Sequence, residues 1–172
     1  MITKRDAQVI NFVNQYKVAK TSTLAMFYSS YQVTTRRLSA IIETGELHRE
    51  RDGWSSEYIY YIKKPKQIRH ALTITDFYRE LSKQVEIKKY IVEPELGSIR
   101  PDAVIGFTAN GKSHLALLEV ELCHKGFNVE KYADWDWKKH FPVKPELFIV
   151  SDGRIPKMDY QTYIIGTDLK IY

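Results

Sequence analysis

The sequence predicts an α+β protein built from two segments that differ in rhythm. Three observations carry that expectation. In the first third, apolar residues recur at helical spacing before a single hairpin-like stretch. From about Val85 onward they alternate or run together as in strands. Between the two lies KKPK, residues 63–66, a proline flanked by charge that breaks either pattern. The expected division is a domain over residues 1–64 and a second over residues 65–172.

With 172 residues the chain suffices for one ordinary domain or two small ones that each barely enclose a core. Its 44% hydrophobic and 27% charged residues are those of a folded globular chain, so disorder is not expected. No apolar run approaches the roughly 20 residues that span a bilayer, and MITKRDAQVI lacks the apolar core of a signal peptide. A cytoplasmic protein with no membrane partner is expected. The single cysteine, Cys123, excludes an internal disulfide and a cysteine zinc site, and the five histidines show no ligand spacing. Cys123 is expected to be buried or at a strand edge, and His124 in a loop or on the surface.

The net charge of +5 is unevenly spread. Up to residue 64 there are ten Lys/Arg against six Asp/Glu, a net +4; the remainder has sixteen against fifteen, a net +1. This asymmetry directs any contact with phosphates to the first segment.

Thr3 and Asp6 form a plausible capping pair for a first helix, which runs to Tyr16 with Val9, Ile10, Val13 and Tyr16 on its inner face. After residues 17–20, Thr21 opens a short second helix carrying Leu24, Met26, Phe27 and Tyr28. The stretch SSYQVTTRRLSAIIETG, residues 29–45, is the third helix, started by Ser29 or Ser30 and ended by Gly45. Tyr31, Leu38, Ile41 and Ile42 form its apolar back, Gln32, Arg36 and Ser39 its front, and Arg37 its flank. Residues 47–62 read as a hairpin that turns at Asp52-Gly53.

That order, with TSTLAMFY, TTRRLSAIIETGEL and the RERDG turn, resembles a winged helix-turn-helix domain. The resemblance implies a partner of double-stranded DNA, with the third helix in the major groove and the hairpin on phosphates or the minor groove. Gln32, Thr35, Arg36 and Ser39 are then base-edge candidates, and Lys20, Arg37, Arg49 and Arg51 phosphate candidates. The alternative is that Arg36 and Arg37 are the solvated face of a helix in a protein-docking module.

Beyond the break, Ile74, Phe77, Tyr78 and Leu81 mark a helix over residues 68–83. Strands follow over residues 85–92, 103–108 and, after the turn Ala109-Asn110-Gly111, 113–122. The last contains LALLEVEL, apolar enough on both sides that two carboxylates within it need a reason. VEKYADWDWKKH is expected as an aromatic helix over residues 128–140, stopped by Pro142; its Tyr132, Trp135 and Trp137 are expected in a core or partner interface. ELFIV is a buried strand, and YQTYIIG and LKIY add edge strands. The order is α-β-β-β-α-β.

With Pro101-Asp102 at the start of the second strand and Glu119-Val120-Glu121 in the third, this order resembles the PD-(D/E)xK nuclease fold. The resemblance implies that Asp102 and Glu119 hold a divalent metal while a third residue, usually Lys, orients water. Here Glu121 stands in the lysine position, Lys131 is a candidate for a displaced lysine, and Glu93 or Glu95 for an additional acid. The catalytic candidates are therefore Asp102, Glu119, Glu121 and Lys131, with Mg²⁺ as cofactor only if the site is active.

Taken together, the helical segment and the motifs RPDAVIGF, LLEVEL and KYADW resemble the replication-relaxation family of plasmids and integrative elements. The resemblance implies binding near an origin, assistance to replication or conjugative mobilisation, a relaxase or replication protein as partner, and a degenerate nuclease-like domain. Two further readings stand beside it. One is a Mg²⁺-dependent DNA endonuclease targeted by its winged helix. The other is a transcriptional repressor, a homodimer joined through the aromatic helix around Trp135.

Overall fold

The computed structural model describes residues 1–123 and 127–170. The chain is α+β and forms two compact units, Met1–Asp76 and Phe77–Tyr172.

In the first unit, α1 (Lys4–Tyr16) begins with a complete capping box. The Thr3 side chain accepts from the Asp6 N–H, and the Asp6 carboxylate accepts from the Thr3 N–H at 2.7 Å. Val9, Phe12, Val13 and Tyr16 are its buried face. A strand, β1 (Val18–Lys20), then precedes the one-turn helix α2 (Thr21–Leu24). Three residues are too few for a periodic signal, and this strand becomes visible only through the partners it pairs with. Helix α3 (Tyr31–Glu43) is capped by Ser30, whose hydroxyl accepts from the Val33 N–H. Gly45 follows its end with φ +78°, a left-handed conformation that suits a residue without Cβ.

The α3 back face differs from expectation at one end. Leu38 and Ile41 are fully buried, but Thr34 takes the buried position in the first turn and Tyr31 is 54% exposed. Thr34 fits there because its hydroxyl donates to the Ser30 carbonyl at 2.8 Å.

The hairpin of β2 (His48–Arg51) and β3 (Tyr58–Tyr61) is wider than Asp52-Gly53 suggests. Arg51 pairs with Tyr58, leaving six residues, 52–57, in the loop. Asp52 closes that loop instead of turning it: its N–H donates to the Glu57 carbonyl and its carboxylate accepts from the Ser55 hydroxyl at 2.6 Å. Strand β3 lies between the other two in the order β1-β3-β2, antiparallel throughout.

Helix α4 (Ile68–Ser82) carries the division between the units within its length. In the first unit its Ala71 and Leu72 pack with Val18 and Ile59.

The second unit is a five-stranded sheet of β4 (Glu86–Val92), β5 (Ala103–Ala109), β6 (Lys112–Glu121), β7 (Glu146–Ser151) and β8 (Thr162–Ile165). They lie in that order, antiparallel from β4 to β6 and parallel from β6 to β8. The β5–β6 turn is the expected one: Asn110 and Gly111 have φ of 50° and 72°, the left-handed pair of a two-residue hairpin. Phe77 packs near Phe148, with ring centroids 5.7 Å apart, and Phe107 near Phe148 at 5.9 Å. A separate cluster gathers Val104, Leu117, Leu147 and Ile149 with Tyr132 and Trp135. Strand alternation assigns these two groups to opposite faces, which explains the near-continuous apolar run in β6.

The aromatic helix is shorter than expected. Residues 128–140 give only α5 (Glu130–Ala133) and a 3-10 turn, Trp137–Lys139. The alternation DWDW has no helical stripe, and Trp135 leaves the helix to donate its indole N–H to the Leu96 carbonyl at 2.9 Å and stack on His140. Cys123 is exposed just beyond β6. Leu169 and Lys170 are outside any strand, while His124 and the last two residues of LKIY lie outside the described residues.

Leu38→Ala removes a fully buried side chain from α3. Urea denaturation should show a loss of about 3 kcal/mol.

Candidate functional site

On α3, Gln32 and Arg36 are exposed one turn apart, and Arg36 has no ion-pair partner among the described residues. Thr35 is half-buried and its hydroxyl donates to the Gln32 carbonyl at 3.0 Å, so it is engaged with its own helix; Ser39 is half-buried beside them. Arg37 points elsewhere. Its guanidinium donates to the fully buried Asp6 carboxylate, through Nε at 3.1 Å and through NH2, and NH2 also donates to the Met1 carbonyl. The Tyr28 hydroxyl donates to the same carboxylate at 2.7 Å. Burial alone raises the Asp6 pKa, but the hydrogen bonds from Arg37, Thr3 and Tyr28 outweigh it and hold the carboxyl well below the usual carboxylate range.

Lys20 is also turned inward, paired with Asp76 at 2.7 Å, while the Thr23 hydroxyl donates to the other oxygen of Asp76. Arg37 and Lys20 thus have internal counter-ions. Among the described residues Arg49 and Arg51 have none: they are exposed on β2 and lie 4.8 and 4.4 Å from the centre of the Tyr58 ring. Arg51 also donates to the Ser56 carbonyl, which steadies it against the loop. Trp54, 68% exposed in that loop, has the Arg69 guanidinium 5.7 Å from its ring. Neither exposed Tyr31 nor exposed Trp54 is anticipated from the sequence, where aromatic residues in an amphipathic pattern read as core.

In the second unit, Asp102 immediately precedes β5 and accepts from the Val120 N–H at 2.7 Å, next to Glu119. Glu119 lies on the β6 face that bears Leu117, and α5 brings two donors to it. Lys131 bonds its Oε1 at 2.7 Å and also donates to the Arg100 carbonyl; the Tyr132 hydroxyl donates to the same Oε1. Burial raises the Glu119 pKa, the Lys131 charge and both hydrogen bonds lower it, and the Asp102 charge raises it; the net direction is upward. Burial and the Glu119 charge raise Tyr132 far enough to keep its hydroxyl a donor at any ordinary pH.

Asp102, Glu119 and Lys131 therefore come together, whereas Glu121 turns back to accept from the Cys123 N–H at 2.9 Å. Glu93 is paired with Arg100 and Glu95 is exposed. Tyr132 is the member of this cluster that the sequence does not single out, because its ring reads as core while its hydroxyl bonds Glu119. Glu119 has an ammonium and a hydroxyl on one oxygen, Oε1, and among the described residues no group of three or more His, Cys, Asp or Glu is gathered to hold a metal. A Mg²⁺ ion, which takes one or two carboxylates and completes its shell with water, would draw on Asp102 and Glu119 in competition with Lys131.

No protein-family model, curated protein or solved structure matches the chain.

Two outcomes test these pairs. The folded pKa of Asp6 lies below its usual 3.8, so its contribution to stability is present above about that pH and is lost as pH falls toward the folded value. Arg37→Met should lower the urea midpoint at pH 7, and the deficit should narrow only in acid; a constant deficit from pH 7 to 2 would argue against the pair. Glu119 has the opposite sign: its raised pKa makes the fold less stable as pH rises from the usual 4.5 through the folded value. Lys131→Met should move its ¹³C-carboxyl titration higher still, and an unmoved midpoint would contradict the contact.

Proposed function

We propose that the chain is a sequence-specific double-stranded DNA-binding protein and that its first unit is a winged helix-turn-helix domain. The order helix, strand, helix, helix, hairpin supports this, with the short β1 pairing against β3 as the third strand. The observation that carries the reading is the exposed Gln32 and Arg36 on the front of α3, with Arg37 held away from it. Arginine can donate two bonds to a guanine edge, and glutamine can pair with adenine. Arg49 and Arg51, exposed on the following strand, are the phosphate contacts. Lys20 and Arg37 are assigned instead to the scaffold, because their charges are met by Asp76 and Asp6.

The resemblance of RPDAVIGF, LLEVEL and KYADW to the replication-relaxation family extends this reading. The protein assists replication or mobilisation of a plasmid or integrative element, with a relaxase or replication protein as partner. The internal partners of Glu119 favour a second unit that holds rather than cuts.

Fluorescence anisotropy with a duplex selected from a random pool tests the proposal. Affinity should fall steeply with salt. Arg49→Ala with Arg51→Ala should reduce the salt slope by about 2, and Gln32→Ala with Arg36→Ala should erase sequence preference at about 1–3 kcal/mol per lost base contact, with the fold intact. Absence of binding at low salt refutes the DNA reading. Supercoiled plasmid should stay uncut in Mg²⁺ or Mn²⁺, and cleavage removed by Glu119→Ala would instead establish the nuclease.

A further inference from the structure

The second unit contains a cleft of about 420 Å³ whose lining includes Tyr132 but not its partner Glu119. That volume is within the range of roughly 300–1,000 Å³ typical of small-ligand sites. Tyr132 and Trp135, almost fully buried, contribute the floor, and the half-buried Trp137, Met158 and Tyr160 the walls. The Tyr132 and Tyr160 rings meet edge to face with centroids 5.8 Å apart, so the aromatic lining is packed in place.

The charges at the rim are selective. Lys144 is paired with Asp159 at 2.8 Å and its ammonium lies 4.7 Å from the Tyr160 ring centre, which commits it to the wall. Lys157 and Glu130 also line the cleft, and among the described residues neither side chain has an ion-pair partner. An aromatic slot with one unpaired ammonium and one unpaired carboxylate suits a flat, hydrogen-bonding ring that carries an anion. Glu130 and Lys157 are exposed, so an alkyl chain would leave both to water and gain nothing from them, and a nucleobase paired within a duplex would not present its face.

We propose that this cleft takes an unpaired base of single-stranded DNA. The base stacks among Trp137 and Tyr160, an N–H of its pairing edge (N3–H in thymine) reaches Glu130, and its phosphate meets Lys157. The choice of DNA rests on the proposed function of the first unit, but the cleft is a separate site.

Tryptophan fluorescence of the full chain tests this in a Trp54→Phe background, which leaves Trp135 and Trp137 as reporters. Oligothymidylate should quench saturably at low salt. An abasic oligomer of the same length should not quench, and thymidine monophosphate should bind several-fold more weakly. Trp137→Leu should abolish the response, Trp137→Phe should retain binding in a competition assay, and Lys157→Gln should weaken it several-fold without altering the fold. Equal binding of the abasic strand, equal or tighter binding of the mononucleotide, absence of quenching, or quenching indifferent to both Trp137→Leu and Lys157→Gln would overturn the proposal. The Gln32→Ala, Arg36→Ala variant separates the two sites. It should lose the selected duplex and keep the oligothymidylate response, so failure of either function is read independently.

Discussion

The first unit depends on one buried carboxylate. Asp6 caps the start of its own helix and also accepts from Arg37 of α3 and Tyr28 of the segment between α2 and α3. Ionised and without access to water, such a group is tolerable only with all its partners in place. Its demands therefore fix how α1 and α3 approach. They also sort two adjacent arginines that look equivalent. Successive residues on a helix point about 100° apart, so once Arg37 is drawn in to Asp6, Arg36 must look outward. The polarity of the proposed DNA face follows from an interaction beneath it.

The second unit repeats this logic with different parts. Glu119 sits in a strand whose sheet carries apolar clusters on both faces, a costly place for a carboxylate, and α5 answers it with an ammonium and a phenol. The same tyrosine links the polar pair to the aromatic cluster, since its ring packs near Phe127 and Trp135 while its hydroxyl turns to Glu119. Short as it is, α5 is thereby tied to the sheet at two chemically different points.

Much of the fold was legible because it rests on strong periodic patterns. The capped first helix, the amphipathic third helix, α4, the strands of the sheet and the Asn110-Gly111 turn all follow from spacing and turn chemistry. What escaped was set by partners distant in sequence. Strand β1 has three residues and exists because Ile59–Tyr61 lies beside it. Asp52-Gly53 looks like a tight turn until the Asp52 side chain is seen bridging to Ser55. The aromatic segment 128–140 has the spacing of a long helix up to Tyr132, but the alternating DWDW that follows offers no helical stripe, and Trp135 leaves the helix for the Leu96 carbonyl. At the sites, residue type identified Gln32, Arg36, Asp102, Glu119 and Lys131 as worth attention. Only geometry separates Arg36 from Arg37, or removes Glu121 from the carboxylate cluster.

The location of Lys131 on a helix, with its carboxylate partner on a strand, has a consequence for how such a pair can be found. When acid and base share one strand, their spacing is locked and a string search can find them. Divided between β6 and α5, each can be replaced while the other's element keeps its own backbone hydrogen bonds. Such a pair is defined by its place in space and not by a fixed interval of sequence, so a search by spacing alone passes over it.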